Sequence, residues 1–129
     1  MLGTVGNLYA GGRAAGSGIG SLVGRCELDI QGTVQRNVYG GGTAINSGHT
    51  AVAETLIRLG PEAKVNANIY CGGYAEITKE KGIYEADSLS EVGTVTVVDD
   101  GNFDPEHIFP HGLNGAGGVS TVEKVKSKK

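Results

Sequence analysis

The hexapeptide Asn37-Val38-Tyr39-Gly40-Gly41-Gly42 has a near copy thirty residues before it, Asn7-Leu8-Tyr9-Ala10-Gly11-Gly12, and another thirty-one after it, Asn68-Ile69-Tyr70-Cys71-Gly72-Gly73. A pattern N-(L/V/I)-Y-x-G-G returning at a near-constant period marks a repeat architecture, in which each unit buries its apolar face only by stacking on its neighbours. The flanks repeat as well. Gly3-Thr4-Val5 and Gly32-Thr33-Val34 precede the first two copies, Ala63-Lys64-Val65 precedes the third, and Gly93-Thr94-Val95 stands where a fourth unit is expected, with the valines 29, 31 and 30 residues apart. Leu22, Val52 and Ile83 each follow the last glycine of a hexapeptide by ten residues, and Ala14, Ala44 and Ala75 follow it by two.

Within a unit the segments have the character of strands. Cys26-Glu27-Leu28-Asp29-Ile30 alternates polar and apolar residues, and Thr94 to Val98 is rich in β-branched side chains. Thr50 to Leu59 is apolar enough for a helix, but its place in the repeat matches strands elsewhere and it is read as a strand. Gly and Ser clusters such as Gly16-Ser17-Gly18 and Asn46-Ser47-Gly48 bound the segments. With 23 glycines in 129 residues and only 5% aromatics, a core of large rings is excluded, whereas short Val, Ile and Leu strands turning at glycines fit. The expected fold is all-β, a parallel β-helix of about four coils of roughly 30 residues. The repeats occupy residues 1–98, as units of about 1–31, 32–62 and 63–92 with a partial one at 93–98. Residues 99–118, holding Pro105, Pro110 and both phenylalanines, read as an irregular cap. Residues 119–129 read as a flexible, solvated Lys-rich tail.

The net charge of −3 gives no general attraction to nucleic acid. No window reaches the ~18 apolar residues of a membrane span, so membrane insertion is not expected, and the N-terminus lacks the pattern of a signal peptide. Cys26 and Cys71 show no metal-ligand spacing and occupy different places in the repeat, which favours two separate thiols over a stacked pair.

The N-V-Y-G-G-G units preceded by G-T-V, with Gly, Ala and Ser between, resemble the Gly-rich repeats of adhesin-like bacterial cell-surface proteins with pectin-lyase-like β-helices. The resemblance covers residues 1 to 98 and departs from the pattern at Ala63-Lys64-Val65 and Cys71. It implies an extracellular or cell-surface location, as a segment of a longer secreted protein, and a structural or adhesive role with a glycan or a host surface protein as partner.

Strand alternation places Val5, Val34, Val65 and Val95 inward as one ladder and Leu8, Val38 and Ile69 as a second, with a bend between them. Asn7, Asn37 and Asn68 then stack on the opposite face beside Tyr9, Tyr39 and Tyr70. Stacked amides are structural in the simplest reading, while an exposed tyrosine column suits sugars or peptides. These six residues are the candidate binding set. The hexapeptide glycines follow no P-loop pattern, and turns with positive φ account for them. Asp100, Asn102 and Asp104 place oxygen ligands at alternate positions, as a calcium loop does, but Pro105 and His111 stand where an EF-hand needs Gly and Glu. A solvated acidic turn is the simpler reading. His107 and His111 are four apart with Pro110 between them, which argues against a zinc-binding helix. No nucleophile, base and acid can be placed together on one face, so no enzyme is expected. Two other readings remain: self-association through open coil edges into an end-to-end filament, and a small carbohydrate-active enzyme on a β-helix.

Overall fold

The computed structural model describes residues 3–15, 20–45, 48–76, 88–100, 103–115 and 118–128. The chain runs through β1 (Thr4–Val5), β2 (Leu8–Tyr9), β3 (Arg13–Ala15) and β4 (Gly20–Ile30), then β5 (Thr33–Val34), β6 (Val38–Tyr39), β7 (Thr43–Ile45) and β8 (His49–Leu59). It continues through β9 (Lys64–Val65), β10 (Ile69–Tyr70), β11 (Tyr74–Glu76) and β12 (Ser88–Asp99). After a 3-10 turn at Pro105–His107 come β13 (Ile108–Phe109), β14 (Leu113–Asn114) and β15 (Gly118–Lys128). The strands pair in parallel into four sheets of order β1-β5-β9, β2-β6-β10-β13, β3-β7-β11-β14 and β4-β8-β12-β15. The chain is therefore all-β, with parallel strands in stacked sheets, the arrangement of a parallel β-helix or solenoid. Thr50 to Leu59 lies within β8, as the strand reading expects.

Each sheet joins a residue to its repeat equivalent. Val5, Val34 and Val65 are in register, as are Leu8, Val38, Ile69 and Ile108. Along the long sheet Val23, Val52, Val92 and Val122 form another inner ladder. Val34, Val38 and Ile69 are fully buried, and Val52 and Val92 nearly so. A core of Val, Ile and Leu therefore fills the space between the sheets. Like stacks on like at the ~4.8 Å spacing of paired strands.

Three sequence expectations are corrected by register. The match at Gly93-Thr94-Val95 begins no new unit, because Thr94 and Val95 lie in β12 opposite Glu54 and Thr55, in a different sheet from Val5, Val34 and Val65. The first valine ladder thus has three members. Val92 and Val95 both face inward, so Gly93 and Thr94 form a break in the alternation, repeated at Gly24-Arg25 and Ala53-Glu54. Leu22, grouped with Val52 by spacing, pairs with Ala51 and is 79% exposed, while Ile83 lies outside the described residues. Finally, residues 99–118 are not an irregular cap throughout and 119–129 are not a free tail. Ile108–Phe109 pairs with Ile69–Tyr70, Leu113–Asn114 with Tyr74–Ala75, and β15 runs along β12. The Lys-rich run is an amphipathic strand whose lysines at 124 and 126 are exposed while Val122 and Val125 pack on the core. Residues 103–107 lead through a 3-10 turn at Pro105–His107 into β13. There, among the described residues, the first sheet gains no fourth strand, and Phe103 packs against the core.

The glycines of the hexapeptide are required by proximity, not by backbone conformation. Among the described residues only Gly3 has a positive φ glycine geometry, at 87°. A Cβ on Gly41 would stand 2.8 Å from the Gly73 nitrogen and 2.8 Å from Val92 Cγ2, so two successive passes of backbone touch at this corner. Gly73 is equally enclosed, by Ser90 Oγ and the Gly42 carbonyl. Gly41→Ala is expected to cost about 1–3 kcal/mol through overpacking. A urea unfolding midpoint unchanged from that of the parent chain would contradict this.

Candidate functional site

The recurring Asn and Tyr flank one inward apolar residue, so alternation puts both on the outer side of the second sheet. Asn7 Oδ1 accepts the backbone N–H of Asn37 at 3.0 Å, and Asn37 Oδ1 accepts that of Asn68 at 3.0 Å. The amides therefore carry the ladder across a corner where backbone pairing is interrupted. Their nitrogens turn the other way: Asn37 Nδ2 donates to the Tyr39 hydroxyl and Asn68 Nδ2 to the Tyr70 hydroxyl, each at 3.3 Å. The N-x-Y spacing is thereby explained, since residues two apart on a strand share a face and can bond side chain to side chain.

The rings form a continuous stack. Tyr9 and Tyr39 lie 4.7 Å apart at 6°, Tyr39 and Tyr70 5.5 Å apart at 14°, and Tyr70 and Phe109 5.3 Å apart at 21°. Such pairs contribute about 0.5–1.5 kcal/mol each beyond the area they bury. Tyr74, at the start of β11, closes over this stack, its ring edge 6.2 Å from Tyr39. Tyr39 is left 3% exposed, so the open tyrosine column expected from the sequence is shut at its centre, while Tyr9 and Tyr70 stay half-buried. Burial pushes the Tyr39 hydroxyl up from its ordinary pKa, against the lowering effect of the Asn37 amide.

The fourth member of each column escaped the sequence reading. His107-Ile108-Phe109-Pro110-His111-Gly112 occupies the place of N-V-Y-G-G-G, with Phe109 in the tyrosine column and His107 Nδ1 2.9 Å from Asn68 Oδ1. Its signal is an apolar residue, an aromatic and a final glycine in the right order. The spacing hides it: Asn68 and His107 are 39 apart. Ile45 and His49, four apart, align with Glu76 and Leu89, thirteen apart, so nine extra residues precede β12.

Tyr74 has no ring equivalent in the preceding strands, where Thr43 and Arg13 hold its position. The space it would fill is left as an open groove of about 500 Å³ beside Tyr9, lined by Gly11, Gly12, Arg13, Thr43 and Ile45. An aromatic edge, a guanidinium and a threonine thus converge at one end of the column.

The acidic turn serves the backbone. Asp104 Oδ1 accepts the N–H of Glu106 at 2.9 Å and so caps the 3-10 turn, and Asp100 donates its N–H to the Leu59 carbonyl at 2.8 Å. Asn102 lies outside the described residues, and among those residues no three His, Cys, Asp or Glu side chains gather to hold a metal. Both cysteines are free thiols. Burial raises the thiol of Cys71 to a pKa of about 11, which makes it a poor nucleophile at neutral pH.

Compared with known protein families, with curated proteins and with solved structures, the chain matches none.

Two outcomes follow from the ring stack. Tyr39→Ala is expected to lower stability by about 3–5 kcal/mol, as removal of a large buried ring does, measured by chemical unfolding. The Tyr74 hydroxyl donates to Glu76, and burial first, then that carboxylate, raises its pKa from 10 to about 12. Between these values the unfolded chain has already lost a proton that the folded chain keeps, so stability falls as pH rises from about 10 to 12. Tyr74→Phe should flatten that part of the stability curve; an unchanged slope would contradict the assignment.

Proposed function

We propose that the chain is a parallel β-helix of about four coils, roughly 30 residues each, serving as a structural or adhesive module of a bacterial cell-surface protein. The observation that carries this reading is how its polar and aromatic repeat residues are used. Asn7, Asn37 and Asn68, with Tyr39 and Tyr70, are bonded to one another along the stack, as suits residues that build a rigid rod. The long sheet adds a broad outer face of strands eleven and twelve residues long.

Adhesion on this scaffold falls to the groove at Tyr9, Arg13 and Thr43, the part of the column that Tyr74 leaves open. Its chemistry suits a sugar: an aromatic edge for the apolar face of a pyranose ring, and Arg and Thr for its hydroxyls or for a carboxylate substituent. A glycan of a host surface, acidic ones included, is the partner class that fits. Arg13→Ala and Tyr9→Ala, at the exposed end of the stack, are expected to reduce binding to an immobilised panel of neutral and acidic polysaccharides about tenfold or more while retaining the β-sheet circular dichroism. Binding that survives both substitutions would remove the groove from the account. Absence of binding by the parent chain across the panel would leave a purely structural module.

A further inference from the structure

Among the described residues the inner ladders end at β4 on one side of the stack and at β15 on the other. In the middle strands Val38, Val52, Ile57, Val92 and Val97 are buried to within 2% exposure. Their ladder neighbours in the end strands, Leu8, Val23 and Leu28 at one end and Ile108 and Val122 at the other, pack on the core yet stay partly exposed. Among the described residues no strand pairs with the outer edge of β4 or of β15, so each presents the unpaired backbone groups of an eleven-residue strand. Such edges recruit further strands unless something opposes it.

The two edges are matched to each other. Continuing the register by one step would set β15 of one molecule along β4 of the next. Val122 would then meet Val23 and Val125 would meet Cys26, with Ile108 on Leu8 and Phe109 on Tyr9. On the outer side the same step aligns Lys126 with Glu27. It sets Lys124 against Arg25, whose guanidinium is bonded to Glu27 at 2.9 Å. By sequence β15 carries Lys124, Lys126 and Lys128 with Glu123, a net charge of +2, and β4 carries Arg25 with Glu27 and Asp29, a net charge of −1, so the two edges attract. The self-pairing alternatives oppose two strands of the same net sign, +2 on +2 for β15 and −1 on −1 for β4.

We propose that this chain docks head to tail on a second copy of itself, β15 of one molecule extending the sheet at β4 of the next. The proposal rests on the β-helix reading above, and it competes with glycan binding at the groove, because the same step sets Phe109 on Tyr9 and Leu113 on Arg13. Because the two surfaces differ, the contact is heterologous and does not close, so the product is a growing rod and not a dimer. One sheet is left incomplete at each junction. Among the described residues no strand pairs with the outer edge of β9, and a cavity of about 500 Å³ bordered by Lys64, Val65 and Phe103 would remain beside it as a periodic gap.

Light scattering on the full chain after size exclusion, over a wide concentration range at low salt, reads the association directly. A series of masses rising in steps of 13.2 kDa is expected. Glu27→Lys alone and Lys126→Glu alone should each weaken association roughly tenfold, the effect of turning an attractive cross-strand pair into a repulsive one. An equimolar mixture of the two variants should recover it, because each then meets opposite charge on its partner. A β-rich monomer at every concentration, or a mixture no more associated than its components, overturns the stacking and leaves the β-helix module standing. A chain without β-sheet circular dichroism overturns both.

Discussion

Neighbouring strands of a parallel stack stand only ~4.8 Å apart, so whatever occupies one position must tolerate its own equivalent directly above and below. Each feature of this chain can be traced to that constraint. Inner columns hold Val, Ile and Leu because β-branched and aliphatic side chains nest on copies of themselves. Corners hold glycine because successive passes of backbone touch there, and a Cβ on Gly41 would overlap the Gly73 backbone. Charge sits mostly at exposed positions, as in the pair of Arg25 and Glu27, which contributes little to stability, although Asp99 at the end of β12 is buried.

The same spacing suits planar groups. Aromatic rings stack at a separation close to that of the strands, so Tyr9, Tyr39, Tyr70 and Phe109 lie nearly parallel without distorting the backbone. Side-chain amides can likewise reach one step along the axis, which lets Asn7 and Asn37 replace backbone bonds at a corner. A chain poor in aromatics thus uses five of its seven rings, Tyr74 included, in one cluster, and a small core gains rigidity from ordered ladders. The inner hydroxyls follow suit: Thr50 Oγ1 donates to Ser90 Oγ at 3.0 Å, and Ser90 Oγ donates onward to the Gly42 carbonyl at 3.2 Å.

An architecture built by translation has a particular consequence for function. Residues that recur in every unit are those most constrained by stacking, and they are drawn into the structure. Contact surfaces arise where the recurrence lapses. The groove exists because Arg13 and Thr43 stand where β11 has Tyr74, and the gap at β9 exists because residues 103–107 form a turn in place of a strand. The edges of β4 and β15 are likewise places where, among the described residues, no further strand pairs.

Local patterns carried much of this in the sequence. The hexapeptide and its flanking valines repeat at short range, alternation within the hexapeptide separates inward from outward residues, and the Asn column and the Tyr column, of three members each, follow from those two facts. The strand nature of Thr50 to Leu59 was legible from its place in the repeat. The fourth pass was not, because nine additional residues before β12 shift His107 to Gly112 out of period, while Gly93-Thr94-Val95 imitates the flank by chance of β-branched composition. Nor could spacing distinguish Leu22 from Val23 as the inward residue, since one residue of slip moves a side chain to the opposite face. Repeat class, strand character and the identity of the stacking residues were therefore determined by the sequence itself, through periodicities of two and about thirty. Which strands lie at the edges of the stack, and whether Tyr39 meets solvent, only the tertiary structure decided. Both depend on neighbours brought together across an irregular insertion and between two different sheets, where no fixed spacing along the chain records the contact.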